Sequence, residues 1–123
     1  MIIINTYMLY KSIDLLSQQT FDPDLGIDSY YGERIPGDGF YGKSDGLHTV
    51  QHSVNNFIGK FIVQGTLVFN PTESDWFNVI CKKYNISGES ESSVDNFVGN
   101  YIWIRAIITD WEQGSILVAR MNH

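Results

Sequence analysis

With 123 residues, the chain is long enough for one hydrophobic core and too short for two ordinary domains. Hydrophobic residues make up 43% and charged residues 18%, which argues against a disordered chain, and a formal net charge of -6 leaves no basic footprint for a nucleic-acid partner. No apolar run approaches the roughly 20 residues of a membrane-spanning helix, so no membrane partner is expected.

From the N-terminus, Met1-Ile2-Ile3-Ile4-Asn5 has no basic residues before its apolar run and no small-residue cleavage site, so a signal peptide is not expected. Residues 2–10, rich in β-branched and aromatic side chains, read as a strand. Residues 12–19 offer at most about two helical turns, and no segment carries a convincing helical stripe. Asp22, Asp24 and Asp28 surround Gly26 but lack the spacing and terminal glutamate of a complete EF-hand loop, so they read as solvated loop acids.

Residues 26–46 are different in kind. They hold six of the eleven glycines together with Tyr30, Tyr31, Phe40 and Tyr41, and read as a long Gly/Tyr-rich interaction loop. Its aromatics either dock against a neighbouring molecule or fold back onto their own domain. Within it, Gly37-Asp38-Gly39-Phe40-Tyr41-Gly42-Lys43-Ser44 matches the phosphate-loop pattern by letter. That pattern needs a buried strand before it and a helix after it, whereas here Pro36 precedes and Asp45-Gly46 follows. No nucleotide or other cofactor is expected.

Strand patterns fill the rest. Residues 47–54 alternate His48, Val50, His52 and Val54 against Thr49, Gln51 and Ser53. On a strand, His48 and His52 stand about 13 Å apart, too far to share one metal ion, so no metal site is expected. Residues 57–69 alternate again, residues 76–82 form a shorter candidate, and Trp76 reads as the anchor of the turn before it. In residues 101–109, Ile102, Ile104, Ala106 and Ile108 form a core face, with Tyr101, Trp103 and Arg105 opposite. Residues 115–121 make a last strand after Gly114.

An echo relates Asn56-Phe57-Ile58-Gly59-Lys60-Phe61 to Asn96-Phe97-Val98-Gly99-Asn100-Tyr101, as if one turn device introduced two strands at equivalent positions. The single cysteine, Cys81, cannot make an internal disulfide and reads as a small buried hydrophobe, in keeping with synthesis in a reducing cytoplasm. Tyr101, Trp103 and Arg105 form a possible ligand platform, although Trp103 fits packing in a second layer better. No Ser-His-Asp or Cys-His arrangement stands out, and an enzyme is not expected.

Gln64-Gly65-Thr66-Leu67, then Glu73-Ser74-Asp75-Trp76-Phe77-Asn78-Val79, then Phe97-Val98-Gly99-Asn100-Tyr101-Ile102-Trp103-Ile104-Arg105-Ala106 resemble small β-sandwich virion proteins of contractile-tailed phages, especially cyanophages. Gly39-Phe40-Tyr41-Gly42 and Gly46-Leu47-His48-Thr49-Val50-Gln51 extend the resemblance, which covers roughly residues 37–120. The order is also similar to discoidin or galactose-binding-like jelly rolls. The resemblance implies one all-β domain, an antiparallel β-sandwich of jelly-roll type; residues 1–36 fall outside it and read as an N-terminal arm or a partner-specific addition. It implies a non-enzymatic structural component of a bacteriophage virion, in capsid, neck, tail or baseplate, made in the host cytoplasm. Its expected partners are other virion proteins and copies of itself, through Tyr30, Tyr31, Phe40 and Tyr41. The alternative is a carbohydrate-binding module in which exposed aromatics take a glycan.

Overall fold

The structure, a computed structural model, describes residues 12–42 and 45–123. The expected strand at residues 2–10 therefore lies outside the described residues, as do Lys43 and Ser44 of the phosphate-loop pattern. The fold is all-β and antiparallel, as the alternating patterns predict. Its elements are β1 (Ile13–Leu16), β2 (Gln19–Thr20), β3 (Tyr30–Tyr31), β4 (Ile35–Pro36), β5 (Leu47–Thr66), β6 (Phe77–Val98) and β7 (Trp103–Asn122), with a 3-10 turn at Glu73–Asp75. The seven strands of the described residues belong to one hydrogen-bonded sheet in the order β1-β7-β5-β6, and β2, β3 and β4 also pair with β7.

The three long strands are too long to be straight. Twenty residues of β5 would extend about 66 Å at roughly 3.3 Å per residue. Yet Gly99 N–H donates to the carbonyl just before β5, that of Gly46, at 3.0 Å, and Ile102 N–H donates to its last carbonyl, that of Thr66, at 2.9 Å. Three residues of chain reach only about 11 Å, so the two carbonyls are within about 17 Å of each other. β5 therefore doubles back, and the sheet folds over so that its two halves face one another.

Contacts between the halves bear this out. The rings of His52 and Phe61, nine positions apart on β5, stack at 4.2 Å between centroids. Lys82 and Asp95, from the two halves of β6, form an ion pair at 3.3 Å.

The corner is built at residues 55–59, where Asn56 takes a positive φ of 51° and the register shifts on both sides of β5. Residues 85–88 of β6 and 110–112 of β7 are the longer way round the same corner, since Phe57 and Gly59 pair with Glu89 and Tyr84, and Ile58 and Lys60 with Gln113 and Thr109. β5 takes the inside of the turn. Gly114, at φ 78°, closes the corner because a Cβ there would overlap the Asn56 carbonyl.

Between the halves lies the core. Phe57, Phe61, Val63, Ile104, Ala106, Ile108, Ile116 and Ala119 are wholly buried, joined by Leu15, Leu16, Val50, Val54 and Met121. Each large apolar side chain removed from water in this way contributes about 1.5–3 kcal/mol. Ile104, Ala106 and Ile108 form the inward row expected for their strand.

Several expectations change. Residues 12–19 are not helical: Leu15 and Leu16 are buried and the backbone pairs with β7, so tertiary pairing supplies partners that a two-turn helix would lack. Residues 26–46 are not an uninterrupted loop, because β3 and β4 attach them to β7. Cys81 is exposed rather than buried, since it lies on the outward face of β6 opposite Ile62. The echo marks opposite ends of the molecule: Asn56 and Gly59 turn the corner, whereas Gly99 lies in the connection from β6 to β7 near Gly46.

Candidate functional site

At the end opposite the corner, residues 37–42 form a turn between β4 and β5. Backbone hydrogen bonds fix it: Gly37 N–H donates to Ile102 O and Gly39 N–H to Tyr101 O, both at 2.9 Å, while Phe40 N–H closes onto Gly37 O at 3.1 Å. The turn pushes Phe40 outward, where its ring lies 5.1 Å from Trp103 and 6.2 Å from Phe69, nearly parallel to the latter. Trp103 Nε1–H donates to Phe69 O at 2.8 Å, and the Arg34 guanidinium lies 4.5 Å from the indole centroid. Phe40, Tyr41 and Phe69 remain 42%, 55% and 57% exposed. These rings make a rigid aromatic ledge facing solvent, with the neighbouring Leu67 and Val68 exposed as well.

The four loop aromatics do not act as one group. Tyr30 and Tyr31 sit on β3 opposite Ile108 and Ile107, whereas Phe40 and Tyr41 belong to the turn that follows β4, itself paired at Trp103 and Ile104. Of the two alternatives for the loop, folding back holds for Phe40, which packs on Trp103 and Phe69 of its own domain.

The possible platform of Tyr101, Trp103 and Arg105 is also divided. The Tyr101 ring covers Gly65, where a Cβ would stand 2.6 Å from its Cγ, and packs near Phe97. Trp103 is partly buried among Phe40, Phe69 and Arg34. Arg105 is only 8% exposed and fully engaged: it donates to both Glu73 carboxylate oxygens at 3.1 and 3.0 Å and to Gln64 Oε1 at 2.8 Å, under the ring of Trp76 at 4.3 Å. Trp76 thus anchors its turn through Arg105, and hydrogen bonding to that guanidinium holds the Glu73 carboxyl below its ordinary pKa.

Directly beneath the turn is a buried cluster that local spacing could not reveal. Asp38 and His48 are almost inaccessible, and the Asp38 carboxylate is hydrogen-bonded to His123 Nδ1, 85 positions away. His48 Nδ1–H donates to Gly46 O at 2.7 Å, and its Nε2 accepts a longer bond of 3.3 Å from Asp38 N–H. The His48 ring is held flat against Phe97, with centroids 4.6 Å apart, and on His123 at 5.0 Å, while Tyr41 stacks on His123 from outside.

Burial alone would raise the Asp38 pKa, but hydrogen bonds involving His123 and Asp45 and the nearby imidazoles outweigh it and hold the carboxyl below its usual range. Burial lowers the His48 pKa, with the Gly46 carbonyl opposing. One donor atom from each of Asp38, His48 and His123 lies within 4.8 Å of the others.

His52 has no such company. Its Nε2–H donates to Tyr84 Oη at 2.8 Å, Tyr84 donates onward to Glu91 at 2.7 Å, and the His52 Nδ1 has no hydrogen-bond partner among the described residues. Another concavity, of about 520 Å³, lies at the corner and is lined by residues including Lys60, Tyr84, Asp110 and Trp111. Lys60 and Asp110 pair with each other there at 3.0 Å.

Sequence reasoning found Phe40, Tyr41 and Trp103 but missed Phe69 and Arg34, which only the return of the 67–69 segment and of β4 brings together. It also missed Asp38 and His123 as partners of His48. No protein-family model and no curated protein sequence matches this chain.

Proposed function

We propose that the chain is a non-enzymatic structural component of a phage virion, of jelly-roll type, that assembles with other virion proteins and with itself. One observation carries the reading: Phe40 and Phe69 are exposed on a ledge with the partly buried Trp103, with Arg34 across it, and backbone hydrogen bonds hold the turn that carries Phe40. Aromatic side chains and arginine are the residue types enriched at protein interfaces, and a fixed ledge loses little conformational entropy on docking. The virion class is suggested by the order of motifs in residues 37–120.

Light scattering of the purified protein, with mass spectrometry of intact particles, tests it. The expected result is a multimer found in particles, reduced to monomer by a Phe40→Ser/Phe69→Ser double variant. A monodisperse monomer absent from particles overturns it.

Carbohydrate binding is the second reading, favoured by the near-parallel, exposed rings of Phe40 and Phe69. Because Arg105 is occupied by Glu73 and Gln64, a sugar would be held by the ledge rather than by Tyr101, Trp103 and Arg105 together. Flat titrations across a glycan array dispose of this alternative.

A further inference from the structure

We propose that Asp38, His48 and His123 form a binding site for a divalent transition-metal ion of the zinc class, which ties the 37–42 turn to β5 and β7. The inference does not depend on the assembly reading.

Four observations carry it. The first is donor chemistry. Two imidazoles and one carboxylate suit zinc, cobalt, nickel or ferrous iron, whereas calcium and magnesium select all-oxygen sites.

The second is convergence. The three donor atoms lie within 4.8 Å of one another although they come from the turn, the start of β5 and the residue after β7. Ligands held at 2.0–2.2 Å around a tetrahedral ion stand roughly 3.3–3.6 Å apart. Coordination therefore parts Asp38 Oδ1 and His123 Nδ1, now hydrogen-bonded to each other at 2.5 Å, by about 1 Å and draws the more distant donor atoms together by a similar amount, a shift that the turn carrying Asp38 can supply.

Orientation is the third. Histidines that bind metal through one ring nitrogen characteristically give the other N–H to a carbonyl or carboxylate, which fixes tautomer and ring direction. His48 does so: Nδ1–H goes to Gly46 O at 2.7 Å and the ring is clamped on Phe97, so the Nε2 lone pair points to the side where Asp38 lies. The bond that Nε2 now accepts from Asp38 N–H is long, at 3.3 Å, and little is lost by exchanging it for a metal.

The fourth is charge and shelter. Asp38 is 1% exposed, and the side chain of His123 is 5% exposed under the Tyr41 ring. Asp45 adds a second carboxylate close enough to influence both Asp38 and His48. The sheltered Asp38 carboxylate, with the exposed Asp45 beside it, favours a compact divalent counter-charge, and an ion there is stripped of most of its water.

His52 provides the internal control. It is as buried as His48 and lies on the same face of β5, but it faces Phe61 and Tyr84.

The test uses untagged, chelator-treated full-length protein titrated with Zn²⁺ by calorimetry and with Co²⁺ by visible absorption. Nitrogen-15 NMR follows the three imidazoles. The expected result is one ion per chain, a d–d absorption band with Co²⁺, and Zn²⁺-dependent shifts of the His48 and His123 rings while His52 stays put. Asp38→Asn and His123→Ala lose the band and weaken Zn²⁺ binding more than about 100-fold, since even loss of an outer partner costs about 10–100-fold.

No heat and no band with the wild type, shifts spread equally over the three histidines, or undiminished binding by folded His123→Ala would each overturn the site. The cluster is then a buried Asp–His pair only. The NMR arm needs no variant, so a substitution that fails to fold does not decide the matter.

Discussion

His48 and His52 lie on one face of β5 with a single inward side chain, Val50, between them. Both are inaccessible, and each rests its ring on a phenylalanine. Their surroundings nevertheless differ in kind. His52 is enclosed where the folded sheet packs on itself, and its one polar partner is a tyrosine that has turned toward Glu91. His48 is at the open end, where a turn, the first residues of a strand and the last residue of the sequence meet, bringing Asp38 and His123 to it. Burial makes both rings quiet; convergence of unrelated parts of the chain gives only one of them the means to hold a ligand.

The largest test of this contrast removes the apolar support beneath each ring. Phe61→Ala, under His52, should cost about 3–5 kcal/mol in urea denaturation, because Phe61 is wholly buried between both halves of the sheet. Phe97→Ala, under His48, should cost much less, since that ring is only partly buried. Equal losses would mean that the open end is as tightly packed as the middle.

Glycine substitutions sharpen the same distinction. Gly114→Ala at the corner should destabilise by roughly 1–3 kcal/mol, because φ 78° and the facing Asn56 carbonyl leave no room for a methyl group. Gly65→Ala should cost less in thermal denaturation, as Gly65 is not in the left-handed region and the obstacle there is the Tyr101 ring rather than backbone.

The response to acid should separate the two histidines next. Burial, the largest influence, lowers the His52 pKa, with Asp95 and Glu91 opposing. Below the ordinary imidazole value of about 6.5 the unfolded chain takes up a proton that native His52 refuses, so its stabilising contribution is complete above that value and declines as pH falls. His48, lowered too, adds to the decline. Chemical denaturation at a series of pH values should therefore give a shallower acid limb for His52→Phe than for the wild type.

The smallest effect on stability should come from the ledge. Phe40→Ser/Phe69→Ser should change unfolding free energy by no more than about 1 kcal/mol, since both rings lie at the surface outside the core, even where it abolishes assembly.

Much of the strand content was legible because core-facing residues alternate with outward ones: Val50 and Val54, Phe61 and Val63, Ile104, Ala106 and Ile108. The doubling of each long strand was not. Asn56 and Gly59 read as a turn between strands, when they turn one strand from one half of the sheet into the other. Residues 83–98 escaped notice because their alternation is polar on both faces. Ser93 and Asp95 oppose His52 and Val50 at the side of the fold, where Lys82 and Tyr84 of the facing half pair with Asp95 and Glu91. Period-two reading depends on hydrophobic contrast, and a seam closed by an ion pair and a hydrogen bond supplies none. At the open end, the exposed loop aromatics were recognisable by type. The meeting of Asp38 with His123 across 85 positions depends on the whole topology and has no local signature.

The shared corner has a kinetic consequence. Because β5, β6 and β7 each run through both halves of the sheet, neither half can assemble from a contiguous piece of chain. The contacts that hold residues 47–54 require residues 115–122, and those that hold 60–66 require 103–109. Apart from the hairpin pairing of β5 with β6, the ladder must wait for β7 to close over a long stretch of chain, which places the molecule among slow folders. Once closed, the halves cannot peel apart one at a time, since every long strand is a tether between them, and loss of either half carries the other with it.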